Sequence, residues 1–252
     1  MSAALVPTLV AVALQPPSLD GLALRKVHAG VNLPFIYEAD LVSTSAAAAA
    51  PQFQRHDALS SCYWPAAAPL ADLVAQTTKE GERCLELGCG TGLCALTAAT
   101  ACGSSGHCLA TDISQVSLDL TDAAAEAQQL RHIVETAILD STDLEHVPLP
   151  AGYDVLILSD VFVTEALAKA YAARVAEACA AEASYRRVLV VDPGRSTRRT
   201  FLDELARRGV DSSPGFCSAE ECLRRAASVP PEPGTLLLLL DTEEGAPMSY
   251  AI

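Results

Sequence analysis

From residue 83 onward, short apolar runs alternate with longer segments in which apolar residues recur at helical spacing. The short runs predict strands at residues 83–87, 107–111, 133–139, 154–159, 187–191 and 235–240. The longer segments predict helices at residues 91–101, 115–130, 164–182 and 196–208. Strands that alternate with helices favour βαβ units, and right-handed crossovers place the helices on both faces of a sheet. The pattern therefore predicts an α/β fold with a doubly wound, mostly parallel sheet.

The first sixty residues do not follow this pattern. Residues 22–27 alternate like a strand, and residues 43–51 contain five consecutive alanines, which is typical of a low-complexity loop. We predict an N-terminal extension with short strands and an Ala-rich loop over residues 1–60. A single domain follows over residues 61–252, and its first helix is expected at residues 69–76.

Charge and cysteine content narrow the function classes. The net charge of −14 argues against a nucleic-acid groove, which needs a basic face. The acidic surface can also serve solubility alone, without indicating any partner. Nine cysteines without a C-x-x-C pair favour a reducing compartment, and five histidines without metal-ligand spacing predict no metal site. No apolar stretch approaches the ~20 residues of a membrane span, and no basic leader segment is present, so we expect a cytoplasmic protein.

Residues 84–93 read C-L-E-L-G-C-G-T-G-L, an apolar strand followed by a glycine-rich turn and a helix that begins near Thr91. Glycines allow positive φ and a close backbone approach to a ligand, and a helix N-terminus offers unpaired N–H groups. The dinucleotide fingerprint G-x-G-x-x-G does not fit, because Leu93 stands where its third glycine is expected. An ordinary strand–turn–helix without a ligand is the alternative interpretation.

Acidic residues lie at the ends of four successive predicted strands: Glu86, Asp112, Asp140 and Asp160. The carboxyl ends of parallel strands line one rim of a doubly wound sheet, where ligands bind. Each acid alone could instead cap a helix. Their shared position predicts that the four converge on one crevice.

The run E-L-G-C-G-T-G resembles motif I of the class I methyltransferases, which bind S-adenosylmethionine. With Y-W-P at residues 63–65, S-D-V-F at 159–162 and D-P-G-R at 192–195, it resembles the seven-β-strand protein-lysine methyltransferases, of the electron-transfer-flavoprotein lysine methyltransferase type. The resemblance covers about residues 64–195. It implies a seven-stranded Rossmann-like sheet, with residues 236–240 as the antiparallel strand, and S-adenosylmethionine as the cofactor.

The resemblance and the strand positions together give the cofactor-binding residues. Glu86 is expected to support the glycine turn and the methionine amino group, and Asp112 to hold the ribose hydroxyls. Asp140 and Ser141 are expected beside the adenine edge, while Trp64 could also be a core or lid residue. The full predicted cofactor set is Trp64, Glu86, Gly88, Gly90, Asp112, Asp140 and Ser141.

On the acceptor side, Asp160 and Phe162 are the predicted catalytic residues. Asp160 is expected to orient a lysine amine by hydrogen bonding rather than to act as a general base. Core packing is the alternative role for Phe162. Val163 stands where many relatives have a tyrosine, which leaves the lysine specificity open.

The sequence thus predicts a protein-lysine N-methyltransferase whose partner is a protein that presents a lysine. A methyltransferase of a small amine, oxygen or sulfur nucleophile is one alternative, and a non-catalytic binding protein of the same fold is another. Neither nucleic acid nor membrane is an expected partner. The oligomeric state stays open, with a monomer as one option.

Overall fold

The computed structural model describes residues 24–39, 55–180, 183, 185–210, 216–218 and 236–241. The predicted Ala-rich loop at residues 43–51 lies outside them. The strands are β1 (Leu24–His28), β2 (Phe35–Ala39), β3 (Arg83–Leu87), β4 (His107–Asp112), β5 (Val134–Ile138), β6 (Val155–Ser159), β7 (Arg187–Asp192), β8 (Phe216–Ser218) and β9 (Leu236–Asp241). The helices are α1 (Arg55–Ser60), α2 (Ala67–Thr77), α3 (Leu93–Cys102), α4 (Gln115–Ala127), α5 (Glu165–Ala178) and α6 (Arg198–Arg207).

The main sheet has seven strands in the order β5-β4-β3-β6-β7-β9-β8. Strands β3 to β7 are parallel to one another, and β9 is antiparallel to both β7 and β8. This arrangement confirms the predicted doubly wound, mostly parallel, Rossmann-like sheet, including the antiparallel strand at residues 236–240. The short strand β8 was not predicted.

Successive residues of each central strand pack on opposite faces of the sheet, which explains why the strands read as continuous apolar runs. Cys84, Ala110 and Val155 belong to one buried cluster, which also contains residues of α2, α3 and α4. Leu85 and Leu156 belong to a second cluster, which contains residues of α5 and α6. Helices therefore cover both faces, as predicted. No helix in the described part of the chain is long and apolar enough to cross a membrane.

Strands β1 and β2 form an antiparallel hairpin that packs on the domain. The backbone N–H of Phe35 donates to Gln128 Oε1 at 3.1 Å, and Gln128 Nε2 donates to the Phe35 carbonyl at 2.9 Å. Ile36 of β2 lies in the same buried cluster as α3 and α4. The sequence predicted β1 but not β2, and the division of the chain at residue 60 stays a prediction.

The connection from β5 to β6, residues 139–154, consists of turns and irregular backbone without a helix. It nevertheless buries Leu139 and Leu149 against the α5 side of the sheet. Its own hydrogen bonds form only local turns, so contacts with neighbouring elements set its position on the domain.

A buried carboxylate joins β3 to the first turn of α3. Glu86 is almost completely inaccessible, and its Oε2 accepts a hydrogen bond from the Ala95 backbone N–H at 2.7 Å. Burial raises the pKa of Glu86 to about 8, with the nearby Asp112 charge adding to the rise. Glu86 is therefore largely neutral at pH 7, which makes its burial tolerable.

This environment predicts a pH-dependent contribution of Glu86 to stability. The folded-state pKa is raised, so the protonated side chain favours folding below about pH 4.5, and this contribution is lost as the pH rises through about 8. Each pKa unit corresponds to about 1.4 kcal/mol. The free energy of unfolding of the wild type, relative to Glu86→Gln, should therefore fall by a few kcal/mol between pH 5 and pH 8.5, measured by urea denaturation without ligand. A difference that does not change with pH would contradict a neutral, buried Glu86.

Candidate functional site

The glycine-rich turn after β3 bends sharply before α3 begins at Leu93, two residues later than predicted. Gly88, Gly90 and Gly92 have φ angles of 69°, 52° and 79°. A Cβ atom on Gly88 would lie 2.9 Å from the Tyr171 hydroxyl oxygen and 3.0 Å from a methyl group of Val161. The turn therefore needs glycine for its conformation and, at Gly88, for its close approach to α5 and to the end of β6.

Asp112, at the end of β4, is hydrogen-bonded to this turn. Its Oδ2 accepts from the Gly90 N–H and its Oδ1 from the Ser114 N–H, both at 2.9 Å. Ser114 in turn caps α4, where its side chain accepts from the Ser117 N–H. The structure thus brings Gly90 and Asp112 together, as their positions predicted. Glu86 is buried and its carboxyl group accepts from α3, and its predicted support of a methionine amino group stays a prediction.

The connection after β5 places Asp140 and Ser141 at the same edge of the sheet. Asp140 Oδ1 accepts from the Thr142 N–H at 2.8 Å and from the Thr142 hydroxyl at 2.6 Å, which closes a local turn. Ser141 is buried, and its side chain lies near the Tyr171 hydroxyl. Burial raises the pKa of Tyr171, so its hydroxyl stays protonated. Tyr171 therefore lies between the glycine turn and the segment that follows β5.

Two exposed apolar side chains border this region. Ile113, directly after Asp112, is 49% exposed, and Ile138, at the end of β5, is 55% exposed. Asp112 and Ile138 are paired in register, so the two isoleucines belong to neighbouring strand ends. Sequence reasoning did not single out either one. An apolar residue directly after the acid at a strand end was the available signal.

Three motifs that lie far apart in sequence meet at the end of β6. Asp160 is buried and has a φ of 55°, and its Oδ1 accepts from Arg195 Nε at 2.5 Å. That hydrogen bond raises the pKa of Arg195. The Arg195 guanidinium carbon lies 5.9 Å from the centre of the Trp64 ring, and Trp64 is 40% exposed. Trp64 therefore lies beside Asp160 and Arg195, and its predicted cofactor contact stays a prediction.

Phe162 lies in the hydrophobic core. It is fully buried, and its ring stacks on Phe201 of α6 with centroids 4.1 Å apart. The Thr197 hydroxyl donates to the Phe162 carbonyl. These contacts match the packing alternative, and they give the predicted catalytic role of Phe162 no support. The next residue, Val163, is exposed.

The described residues fit S-adenosylmethionine and give no indication of a metal. The glycine turn at positive φ offers backbone amide groups, and the nearly buried Asp112 carboxylate beside it offers an anionic acceptor. The exposed Ile113 and Ile138 add an apolar surface next to them. These surfaces suit an amino-acid moiety, ribose hydroxyls and a flat base. Within the described part of the chain, no cluster of three or more His, Cys, Asp or Glu residues could hold a metal ion.

Comparison with solved structures gives distant likenesses. A candidate rRNA-methylase from Clostridium thermocellum aligns with 71% of this chain and 97% of its own, at 14% identity and a TM-score of 0.51, which shows the shared fold. A TehB-like SAM-dependent methyltransferase from Corynebacterium glutamicum aligns with 68% of this chain and 85% of its own, at 16% identity and a TM-score of 0.47. TrmN from Thermus thermophilus aligns with 70% of this chain and 48% of its own, at 20% identity and a TM-score of 0.47.

Comparison with curated proteins finds no match. Residues 84–183 match a family model described as a methyltransferase domain. This range contains the glycine turn, Asp112, Asp140, Ser141 and Asp160. This part of the chain is thus similar to a methyltransferase domain, which indicates S-adenosylmethionine as the cofactor.

Proposed function

We propose that this chain methylates the side-chain amine of a lysine in a protein substrate. The observation that carries this proposal is the buried Asp160 carboxylate, which Arg195 holds at the end of β6 beside the exposed Trp64 and Val163. When bound, S-adenosylmethionine supplies a methyl group on a positively charged sulfur. The protein then has to hold the cofactor, align the amine and exclude water.

The residues around the glycine turn would hold the cofactor. The backbone at Gly88 and Gly90 would receive the methionine part, and Asp112 would accept hydrogen bonds from the ribose hydroxyls. Ile113 would lie against the base, with Asp140 and Ser141 at its edge. These assignments are supported by the direct hydrogen bond between Asp112 and the turn.

Asp160 would align the acceptor amine by accepting an N–H hydrogen bond. An isolated carboxylate would also favour the charged ammonium form, which has no lone pair to react. The Arg195 guanidinium partly neutralises Asp160 and so weakens that effect. The exposed Trp64 ring offers an apolar surface for the methylene groups of a lysine side chain.

A small amine, oxygen or sulfur nucleophile is the second candidate acceptor. The exposed Val163 favours it, because many of the lysine methyltransferases that this sequence resembles have a tyrosine there. We do not propose a nucleic-acid acceptor. The net charge is −14, and near the site Arg195 and Arg198 are already paired with Asp160 and Asp192.

We also propose a cytoplasmic location. Cysteines whose side chains the structure describes are free thiols, which fits a reducing compartment.

Replacement of Asp112 tests the cofactor site. Asp112→Asn preserves the size of the side chain but removes its charge, so S-adenosylhomocysteine should bind more weakly by about 1.5–3 kcal/mol, the range for a hydrogen bond to a charged group. Isothermal titration calorimetry measures this change. Asp203→Asn, which alters an exposed carboxylate on α6, is the matched control and should bind like the wild type. Equal affinity for Asp112→Asn and the wild type would remove Asp112 from the site.

Replacement of Asp160 tests the acceptor site. Asp160→Asn should leave the affinity for S-adenosylhomocysteine nearly unchanged and lower turnover by about 100-fold or more, because misalignment costs rate rather than cofactor binding. Turnover is measured as transfer of labelled methyl from S-adenosylmethionine to a cell lysate. Full activity of the variant would show that Asp160 serves only the loop structure.

The same assay separates the two acceptor classes. Label on a protein band supports the proposed function if acid hydrolysis of that band releases labelled methyl-lysine. Label in the low-mass fraction, retained when the lysate is first digested with protease, selects the small-nucleophile alternative.

A further inference from the structure

Helix α5 directs three polar residues toward the irregular β5–β6 connection. Tyr171, Arg174 and Glu177 follow one another at three-residue spacing, which places them along one face of the helix. Arg174 is only 1% exposed and is among the largest fully buried side chains of the described residues. Burial of a guanidinium is costly unless its donors are paired, so its contacts show what it holds.

Arg174 and Glu177 fix the connection at three points. Arg174 Nε donates to the Ser141 carbonyl at 3.1 Å, and Nη2 donates to the Asp143 carbonyl at 2.9 Å. Arg174 Nη1 is paired with Glu177 Oε2 at 2.9 Å. The other Glu177 oxygen accepts from the Leu149 N–H at 2.7 Å. Two carbonyls and one N–H of a helix-free segment are thereby satisfied by one ion pair.

Tyr171 connects the same segment to the glycine turn. Its hydroxyl lies near the Ser141 side chain, and it is so close to Gly88 that a Cβ there would be 2.9 Å away. Ser141 is thus held at its carbonyl by Arg174, while its side chain lies beside the Tyr171 hydroxyl. The position of the segment after β5 relative to the turn is set by α5.

We propose that Arg174 is a positioning residue that holds Asp140 and Ser141 where they recognise the adenine base of the cofactor. The proposal rests on the cofactor site described above but not on the identity of the methyl acceptor. An arginine suits the role because its planar fork reaches two carbonyls at once, which a lysine ammonium on a flexible stem does not reproduce. Arg174 itself would not touch the cofactor.

The preference of the protein for adenine over another base distinguishes a positioning role of Arg174 from a general structural role. The wild type should bind S-adenosylhomocysteine at least about tenfold more tightly than S-inosylhomocysteine, because a carboxylate accepts from the adenine amino group and repels the carbonyl that replaces it. Arg174→Lys should reduce this ratio by about fivefold to tenfold, measured by calorimetry with both ligands. A loss of stability alone would lower both affinities and leave the ratio unchanged.

Arg187→Lys is the matched control. Arg187 is also a nearly buried arginine, paired with Glu82 and donating to the Thr77 carbonyl at 2.7 Å, but it lies at the amino end of β7, opposite the site. This variant should lose stability and keep the wild-type ratio. The proposal is overturned if Arg174→Lys keeps the ratio, if Arg187→Lys loses it equally, or if the wild type does not discriminate between the two bases.

Glu177→Ala provides a second variant should Arg174→Lys fail to fold. Its side chain is 40% exposed, so the helix should tolerate the change, while both the Arg174 pair and the Leu149 contact are lost. The ratio should again fall, and an unchanged ratio would overturn the proposal. Failure of the wild type to methylate lysine would contradict the proposed acceptor and leave these binding results standing.

Discussion

The Asp112 carboxylate is the contact on which the rest of the site depends. It joins the turn after β3 to the start of α4, because its two oxygens accept from the Gly90 and Ser114 N–H groups. Hydrogen bonds to a carboxylate are stronger than those between neutral groups, and loss of either would leave a polar N–H without its partner. The turn keeps its shape because two neighbouring strand ends are tied together at this one side chain.

Four acids lie at or near the carboxyl ends of neighbouring strands, yet their surroundings give them different roles. Glu86 is buried and largely neutral, and Asp112 joins two backbone segments. Asp140 closes its own turn, while Asp160 forms an ion pair with Arg195. The rim is therefore not a uniformly acidic pocket. Such separation of environments would allow one edge of a sheet to serve both the proposed cofactor site and the proposed acceptor site.

The fold was readable from the sequence because each central strand is a short apolar run, and the predicted strand bounds agree with the structure to within one residue. The end of α5 could not be predicted from the sequence, because the Ala-rich sequence continues past Ala178 without a helix stop signal. The acids of the site could be predicted because each lies at or near the end of a predicted parallel strand. The roles of Arg174 and Phe162 could not be predicted from the sequence. Arg174 contacts the Asp143 carbonyl and Phe162 stacks on Phe201, and neither long-range contact produces a pattern in the sequence.

We infer that the compact glycine turn and Asp112 form a site for S-adenosylmethionine rather than for a dinucleotide or for no ligand. Calorimetric titration of the wild-type chain with S-adenosylhomocysteine and, separately, with NAD tests it most directly. We expect one-site binding of S-adenosylhomocysteine with a dissociation constant in the micromolar range, and no measurable heat with NAD. Saturable binding of NAD without binding of S-adenosylhomocysteine, or binding of neither ligand by the folded protein, would contradict the account.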